Sequence, residues 1–431
     1  MVGVVAALLL TASPDLNLDL RVRSELRVSQ LAPDQITSVS RTSAEVQPLA
    51  ALALESREWR LRLTYAPRLW MPDLHLARLD VDHQVDIRGE VNPLPTMSLA
   101  LTGTAQRGLI DPLTDMWTSI APGRQASTIA PGTSTTTVNA YEPLQYQSFR
   151  GAVDGLYRMG PASGISGSAF AGYSSGDAAH RTILPPQRSL GASLGWDKEV
   201  DARDRLRAQA HVNVVRTYNG GIDPTINAAY PDTETGYVWA DATWRHRFSP
   251  IVTAGLGVGT SYVRETSQYA NPINGWAPVV EVGLDLASDR PGPSLRTVVR
   301  YAPEVDRVTG RTRQAMNGAT VYDVPFSLET SITAGIAASA LIPAATQLSA
   351  RHVYDDPASV SFEFRVSRRF GDAFVIGAGA RTRRQTVVSQ VNAYTGEVTR
   401  QQPNYMETTG FLSLDWDIVH RTRGAPPVGA R

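Results

Sequence analysis

From Leu16 to Val28 the even positions read Leu16, Leu18, Leu20, Val22, Ser24, Leu26 and Val28, while Asn17, Asp19, Arg21, Arg23, Glu25 and Arg27 fill the odd ones. A repeat of two matches the pleat of a β-strand, whose successive side chains leave opposite faces, and does not fit the 3.6-residue repeat of a helix. The alternation returns in Trp59, Leu61, Leu63, Tyr65 and in Leu79, Val81, His83, Val85, Ile87. It recurs in Leu206, Ala208, Ala210, Val212, Val214, then in Val238, Ala240, Ala242, Trp244, then in Val324, Phe326, Leu328, Thr330, Ile332, and it closes with Leu412, Leu414, Trp416, Ile418.

Many of these segments hold the pattern for about 10 to 14 residues, whereas strands of soluble sheets usually run about 5 or 6. A tilted strand needs about 9 to 11 residues to cross a bilayer. About eighteen segments can be counted, beginning near residues 16, 43, 58, 76, 96, 145, 163, 188, 204, 235, 251, 276, 294, 321, 345, 358, 373 and 405; an even count returns both termini to one side.

The connections alternate as well. Tight turns are expected at Ser56-Arg57, Gly160-Pro161-Ala162, Ser249-Pro250 and Gly371-Asp372, and long polar connections at 108–144, 217–234 and 386–404. Short connections after Pro72-Asp73 and at 355–357 interrupt the scheme. Lipid offers the backbone no hydrogen-bond partner, so such a sheet must close on itself. The expected fold is all-β: a closed antiparallel transmembrane β-barrel over residues 13–419, with short periplasmic turns and long extracellular loops. Residues 1–12 read as a signal sequence or its remnant, and 420–431 as a periplasmic tail.

Composition removes the other classes. Apolar residues are 42% and charged ones 19%, too apolar for disorder and too polar for a bundle of membrane helices. Forty-one basic residues balance 41 acidic ones, so bulk charge points to no nucleic-acid partner, and the absence of cysteine removes disulfides and thiolate sites. Lys198 is the single lysine. Trp59, Trp70, Trp196, Trp244, Trp276 and Trp416 fall near expected strand ends, where an amphipathic ring suits the headgroup level.

With alternation, strand count and loop asymmetry in hand, the chain resembles the porin-type barrels of Gram-negative outer membranes from residue 16 to 418. Its strand count and charged lumen are also similar to those of export barrels for exopolysaccharide. The resemblance implies an outer-membrane location, passage of hydrophilic solutes or export of a polysaccharide, no cofactor and no metal, and as partners the membrane lipid, the outer-membrane assembly machinery and the solute. Such barrels often end on an aromatic residue; here a tail follows Trp416 and Ile418. An outer-membrane enzyme acting on lipid or peptide, and a barrel serving adhesion or assembly, are the alternatives.

The lumen charges expected from parity are Arg21, Arg23, Arg60, Arg62, Arg68, Asp80, Asp82, Asp86, Arg207, His211, Asp415 and Asp417. Arg60, Arg62 and Arg68 would form a basic ladder against an acidic one of Asp80, Asp82 and Asp86, and Arg21 and Arg23 would meet Asp415 and Asp417 at the closing seam. Within 108–144, Leu113, Met116, Trp117 and Ile120 recur at helical spacing behind Asp111 and Pro112, so a short helix is expected to fold inward and narrow the lumen with Asp111, Asp115, Trp117 and Arg124. No catalytic role is expected. Gly191-Ala192-Ser193-Leu194-Gly195 matches the hydrolase elbow G-x-S-x-G, but it lies within one continuous strand rather than on a strand-to-helix turn, and His211 has no serine partner legible in sequence.

Overall fold

The computed structural model describes residues 15–33, 39–56, 58–74, 79–110, 144–177, 185–218, 222–223, 228–229, 232–267, 274–287, 292–305, 312–342, 358–371, 373–385, 388–391, 398–402 and 405–420. The signal and tail expectations lie outside them, as does the 111–143 connection.

Alternation becomes strand throughout. In chain order the strands are β1 (Asp15–Pro33), β2 (Val39–Glu55), β3 (Trp59–Tyr65), β4 (Arg68–Pro72), β5 (Asp80–Leu94), β6 (Met97–Ile110), β7 (Leu144–Gly160), β8 (Ser163–Gly176), β9 (Gln187–Glu199) and β10 (Asp204–Thr217). They continue with β11 (Ile222–Asp223), β12 (Ala228–Ala229), β13 (Thr233–Ser249), β14 (Val252–Ser267), β15 (Asn274–Ala287), β16 (Ser294–Val305), β17 (Thr312–Pro325) and β18 (Thr330–Ile342). The last are β19 (Ala358–Phe370), β20 (Phe374–Gln385), β21 (Val388–Val391), β22 (Val398–Gln402) and β23 (Tyr405–His420).

Each long strand pairs antiparallel with its neighbours in the chain, and β23 returns to pair with β1 from Leu18↔His420 to Pro33↔Tyr405. The sheet is therefore closed. Its 19 strands include β3 and β4, two halves of one wall strand that both pair with β2 and β5, so the wall has 18 staves. Pro67, which has no N–H to give the ladder, stands at the interruption, and Ala66 N–H bonds instead to the Gln84 carbonyl at 2.9 Å. The small pairs β11–β12 and β21–β22 lie in long connections and join no wall strand.

Parity sorts the two faces. Leu190, Leu194, Val212, Val238, Val258 and Leu412 are exposed on the outside, while their strand neighbours Gly191, Asn213, Trp239 and Ser413 are buried on the inside. A wall whose outer face is apolar and backbone-satisfied suits lipid rather than water, and the molecule is a transmembrane barrel of the outer-membrane type. Trp196, Trp244, Trp276 and Trp416 project from the outer face, Trp276 to 74% exposure. The other two tryptophans depart from the expectation. Trp59 is buried, and Trp70 pairs with Glu45 and Asp80 on the lumen face.

The expected segments near 321 and 345 are also corrected. The wall strands are β17 and β18, and the turn between them falls at 326–329, inside the run Val324, Phe326, Leu328, Thr330. Ser327 Oγ accepts the backbone N–H groups of Glu329 and Thr330 at 3.2 and 3.0 Å, which holds the reversal. Alternation runs through it because Phe326 and Leu328 remain exposed in the turn, Leu328 at 95%. The partner of β19 is thus β18, not a strand starting at 345. Among the described residues short connections then follow even-numbered staves, at Ser56, at 95–96, at 161–162, at 200–203, at 250–251, at 326–329 and at Gly371.

Candidate functional site

The inside of the barrel carries two contrasting regions. The first is a charged strip on β19, β20, β23, β1 and β2. Arg27 donates from Nε to Glu25 at 2.6 Å and from Nη2 to Glu45 at 2.8 Å, with all three side chains buried. Arg381 Nε reaches Glu363 at 2.8 Å, Arg365 Nη2 reaches Asp415 at 2.9 Å, and Arg383 is buried to 2% exposure beside them. Arg21 meets Asp417 at 3.2 Å and Arg23 meets Asp415 at 3.6 Å across the β1–β23 seam. Arginine forks suit this arrangement, because one guanidinium can serve two carboxylates, as Arg27 does. Glu25, Arg27, Glu45, Arg365 and Arg381 are not among the lumen charges singled out above; the polar parity of their strands marked their face, but only register could join them.

The ladders expected on the neighbouring staves form differently. Arg68 Nε does donate to Asp82 at 2.7 Å. Antiparallel register, however, sets Arg60 opposite Glu90 and Arg62 opposite Arg88, while Asp86 faces Thr64 and Asp80 faces Trp70. Arg60 pairs instead with Glu55 of β2 at 2.9 Å. Antiparallel register reverses one ladder against the other, so only Arg68 and Asp82 coincide. The expected constriction residues Asp111, Asp115, Trp117 and Arg124 lie outside the described residues.

The second region is an inner layer that sequence reading did not foresee. β15 and β16 pair only from Val280↔Tyr301 to Ala287↔Ser294, and beyond that point the upper parts of β16 and β17 stay paired with each other, out to Val305↔Thr312. There they pack inside the wall. Val305 joins Val215 of β10, Tyr237 and Trp239 of β13 and Val263 of β14 in one buried apolar cluster. Thr312 donates its N–H to Glu265 of β14 at 3.0 Å and its hydroxyl to Thr235 of β13 at 3.4 Å. Strands β13 and β17 are separated in the wall by three staves, so these contacts require the hairpin end to stand within the lumen. Ala302 and Ala315, on the hairpin's other face, are also buried, at 4% and 1% exposure.

Below the cluster, His211 stacks on Trp239 with ring centroids 4.2 Å apart, and its Nε2 lies 3.8 Å from Asp241, which accepts from Gln209 Nε2 at 2.9 Å. Gly259 of β14 makes room here: a Cβ on it would come within 2.6 Å of Asp241 Cβ. Arg207 stands on the same face, opposite Asp197 and Thr243. Register also brings Ser193 directly opposite His211, a serine neighbour that sequence alone did not pair with it. The Ser193 hydroxyl is engaged by Ser168 Oγ at 2.6 Å and the imidazole is held against Trp239 and Asp241, so the row does not form the serine–histidine bond that nucleophilic activation uses.

No family model and no curated protein matches the chain. Solved structures do resemble it. Pseudomonas aeruginosa OpdO is 10% identical at a TM-score of 0.48, covering 94% of this chain and 98% of that one. Acinetobacter baumannii OccAB3 is 10% identical at 0.46, over 94% and 100%. The FrpB iron transporter from Neisseria meningitidis (F5-1 variant) is 8% identical at 0.46, over 93% and 82%. Likenesses this distant transfer no chemistry, and the barrel described above stands on its own hydrogen-bond register.

Around the ring of staves the inner hairpin's wall, β10 to β15, is about half a turn from the β23–β1 seam. Apolar packing therefore fills one side of the lumen, and ion-paired arginines and carboxylates line the other.

Proposed function

We propose that the protein is a porin-like channel of a Gram-negative outer membrane, passing hydrophilic solutes between its charged strip and its inner hairpin. The observation that carries this reading is the strip itself. Eleven arginine, aspartate and glutamate side chains, from Glu45 of β2 round to Glu363 of β19, face the lumen, and a wall of fixed charges lowers the barrier for polar solutes while excluding apolar ones. The strip discriminates by charge and width rather than by covalent chemistry. It suits hydrophilic solutes as a class, and nothing among the described residues singles out a polysaccharide. The reading also implies insertion by the outer-membrane assembly machinery, with Trp416 and Ile418 of β23 as internal signals.

The test is single-channel recording of the purified full chain in planar bilayers. Discrete, stable current steps are expected. Val305→Asp should unseat the inner hairpin and enlarge the steps, and replacing 110–130 with a short Gly/Ser linker should enlarge them if that connection also narrows the lumen. Silence across many insertions of heat-modifiable protein would overturn the channel.

A further inference from the structure

The outer wall is not uniformly convex. Across β5 to β13 it holds a groove of about 1020 Å³. Its floor is made of small outward residues, Gly103, Ala105, Gly151 and Ala171, and its sides of Ile87, Phe149, Leu190 and Val214. All lie on the parity of the lipid-exposed face, so the groove opens to the bilayer and not to the lumen. It lies toward the ends of the strands that carry the long connections, the level of the outer leaflet.

The rim at that end is cationic. Arg188 of β9 and Arg216 of β10 are direct register partners, and both guanidinium groups stack on the Tyr218 ring, at 5.5 and 4.9 Å from its centroid. Arg107 of β6 and Arg264 of β14 are exposed on the same face to either side. Against these four stand Glu234, the register partner of Arg216, and Asp232, 3.9 Å from the Arg216 guanidinium. Among the described residues Arg188 makes no ion pair. Two like charges facing each other across a strand pair are destabilising unless an anion lies between them. One ring holds both guanidinium groups at the rim of an apolar groove, a pair of donors that charge-assisted contacts to a phosphate can use.

We propose that this groove binds one phosphorylated, acylated lipid of the outer leaflet, its chains over the Gly103–Ala171 floor and its phosphate between Arg188 and Arg216. The apolar floor supplies area for the chains, and the guanidinium pair selects the headgroup. The proposal needs only that the barrel spans a bilayer with its long connections outward, and it stands whether or not the lumen conducts.

The experiment is native mass spectrometry of the full chain released from detergent after addition of bisphosphorylated lipid A, with dephosphorylated lipid A in parallel. One retained bisphosphorylated molecule is expected, and dephosphorylation or the R188E/R216E double substitution should lower retention by about tenfold or more, the loss of charge-assisted contacts. Gly151→Trp, which fills the floor and leaves both arginines, should weaken retention of both lipids alike. Heat-modifiable migration on gels reports that each variant is folded, and R188Q/R216Q makes the same comparison should charge reversal prevent folding. Equal retention by the folded arginine variants, equal retention of the dephosphorylated lipid, or no retained lipid at all would overturn the site.

Discussion

Thr312 of β17 donates its backbone N–H to the buried carboxylate of Glu265 on β14, 3.0 Å away, although β15 and β16 stand between those strands in the wall. A bond of this kind can form only because the hairpin end leaves the wall and enters the lumen. It supplies an acceptor for an N–H that the ladder no longer serves, and with the Thr312–Thr235 hydroxyl contact it ties the inner layer to the outer one beside the Val305 cluster.

Removing that acceptor should loosen the inner layer without opening the barrel. Glu265→Ala leaves a buried N–H unpaired, at about 1–3 kcal/mol. Backbone hydrogen exchange over 302–305 and 312–315 should accelerate by about ten- to a hundredfold, while exchange in β1 and β23 stays slow. Equal acceleration in all strands, or none at 302–315, would show that Glu265 does not hold the hairpin.

The charged strip should rank its residues by burial. Arg27 serves two buried carboxylates, so Arg27→Met takes a partner from Glu45 and leaves Glu25 with Arg23 at 3.3 Å, a loss of about 3–5 kcal/mol. Arg21 is half exposed where it meets Asp417, and Arg21→Met should cost no more than about 1 kcal/mol. The midpoint of heat-induced unfolding on gels should fall far more for the first than for the second. The reverse order would contradict the register described for β1.

Charge reversal at the seam tests closure itself. Arg21→Glu with Arg23→Glu sets like charges against Asp417 and Asp415, up to about 1 kcal/mol for each pair. Asp417→Arg added to Arg21→Glu alone should restore that pair's share of the midpoint, since Asp415 also serves Arg365 at 2.9 Å and cannot be reversed without a second loss. A double variant indistinguishable from the parent would argue against the β1–β23 pairing.

Orientation can be read by labelling, since the chain has no cysteine of its own. Asp232→Cys, at the end of the wall with long connections, should react with a membrane-impermeant maleimide on intact cells. Pro250→Cys, in the tight turn between β13 and β14, should react only after the cells are broken. Labelling of position 250 in unbroken cells would invert the barrel.

Alternation alone determined the class of fold, because lipid outside and polar side chains inside impose opposite demands on successive residues of every stave. It also placed the β1–β23 seam charges on one face, since both strands keep strict parity to the end of the sheet. It could not settle connections where apolar residues continue through a turn, as at Phe326 and Leu328, since parity carries no mark of a reversal. Nor could it match ladders across staves: Arg60 and Arg62 meet Glu90 and Arg88 rather than aspartates because the register of β3 and β4 on β5 is fixed by pairing along the whole stave, across the break at Pro67, and not by parity.

The inner hairpin left a trace that period-two reading passes over. Tyr237 and Trp239 alternate with Val238 and Ala240, so both faces of β13 are apolar there, and Thr312 and Gln314 place polar groups on the parity that Met316 and Tyr322 give to lipid. Sequence by itself determined which face of each strand meets lipid wherever the strand stays in the wall, because burial against hydrocarbon is a local property of each residue. Only the tertiary structure decided what fills the lumen. The packing of Val305 on Val263, the bond from Thr312 to Glu265 and the pairing of Arg27 with Glu45 join residues 18 to 47 positions apart, and no local preference encodes those distances.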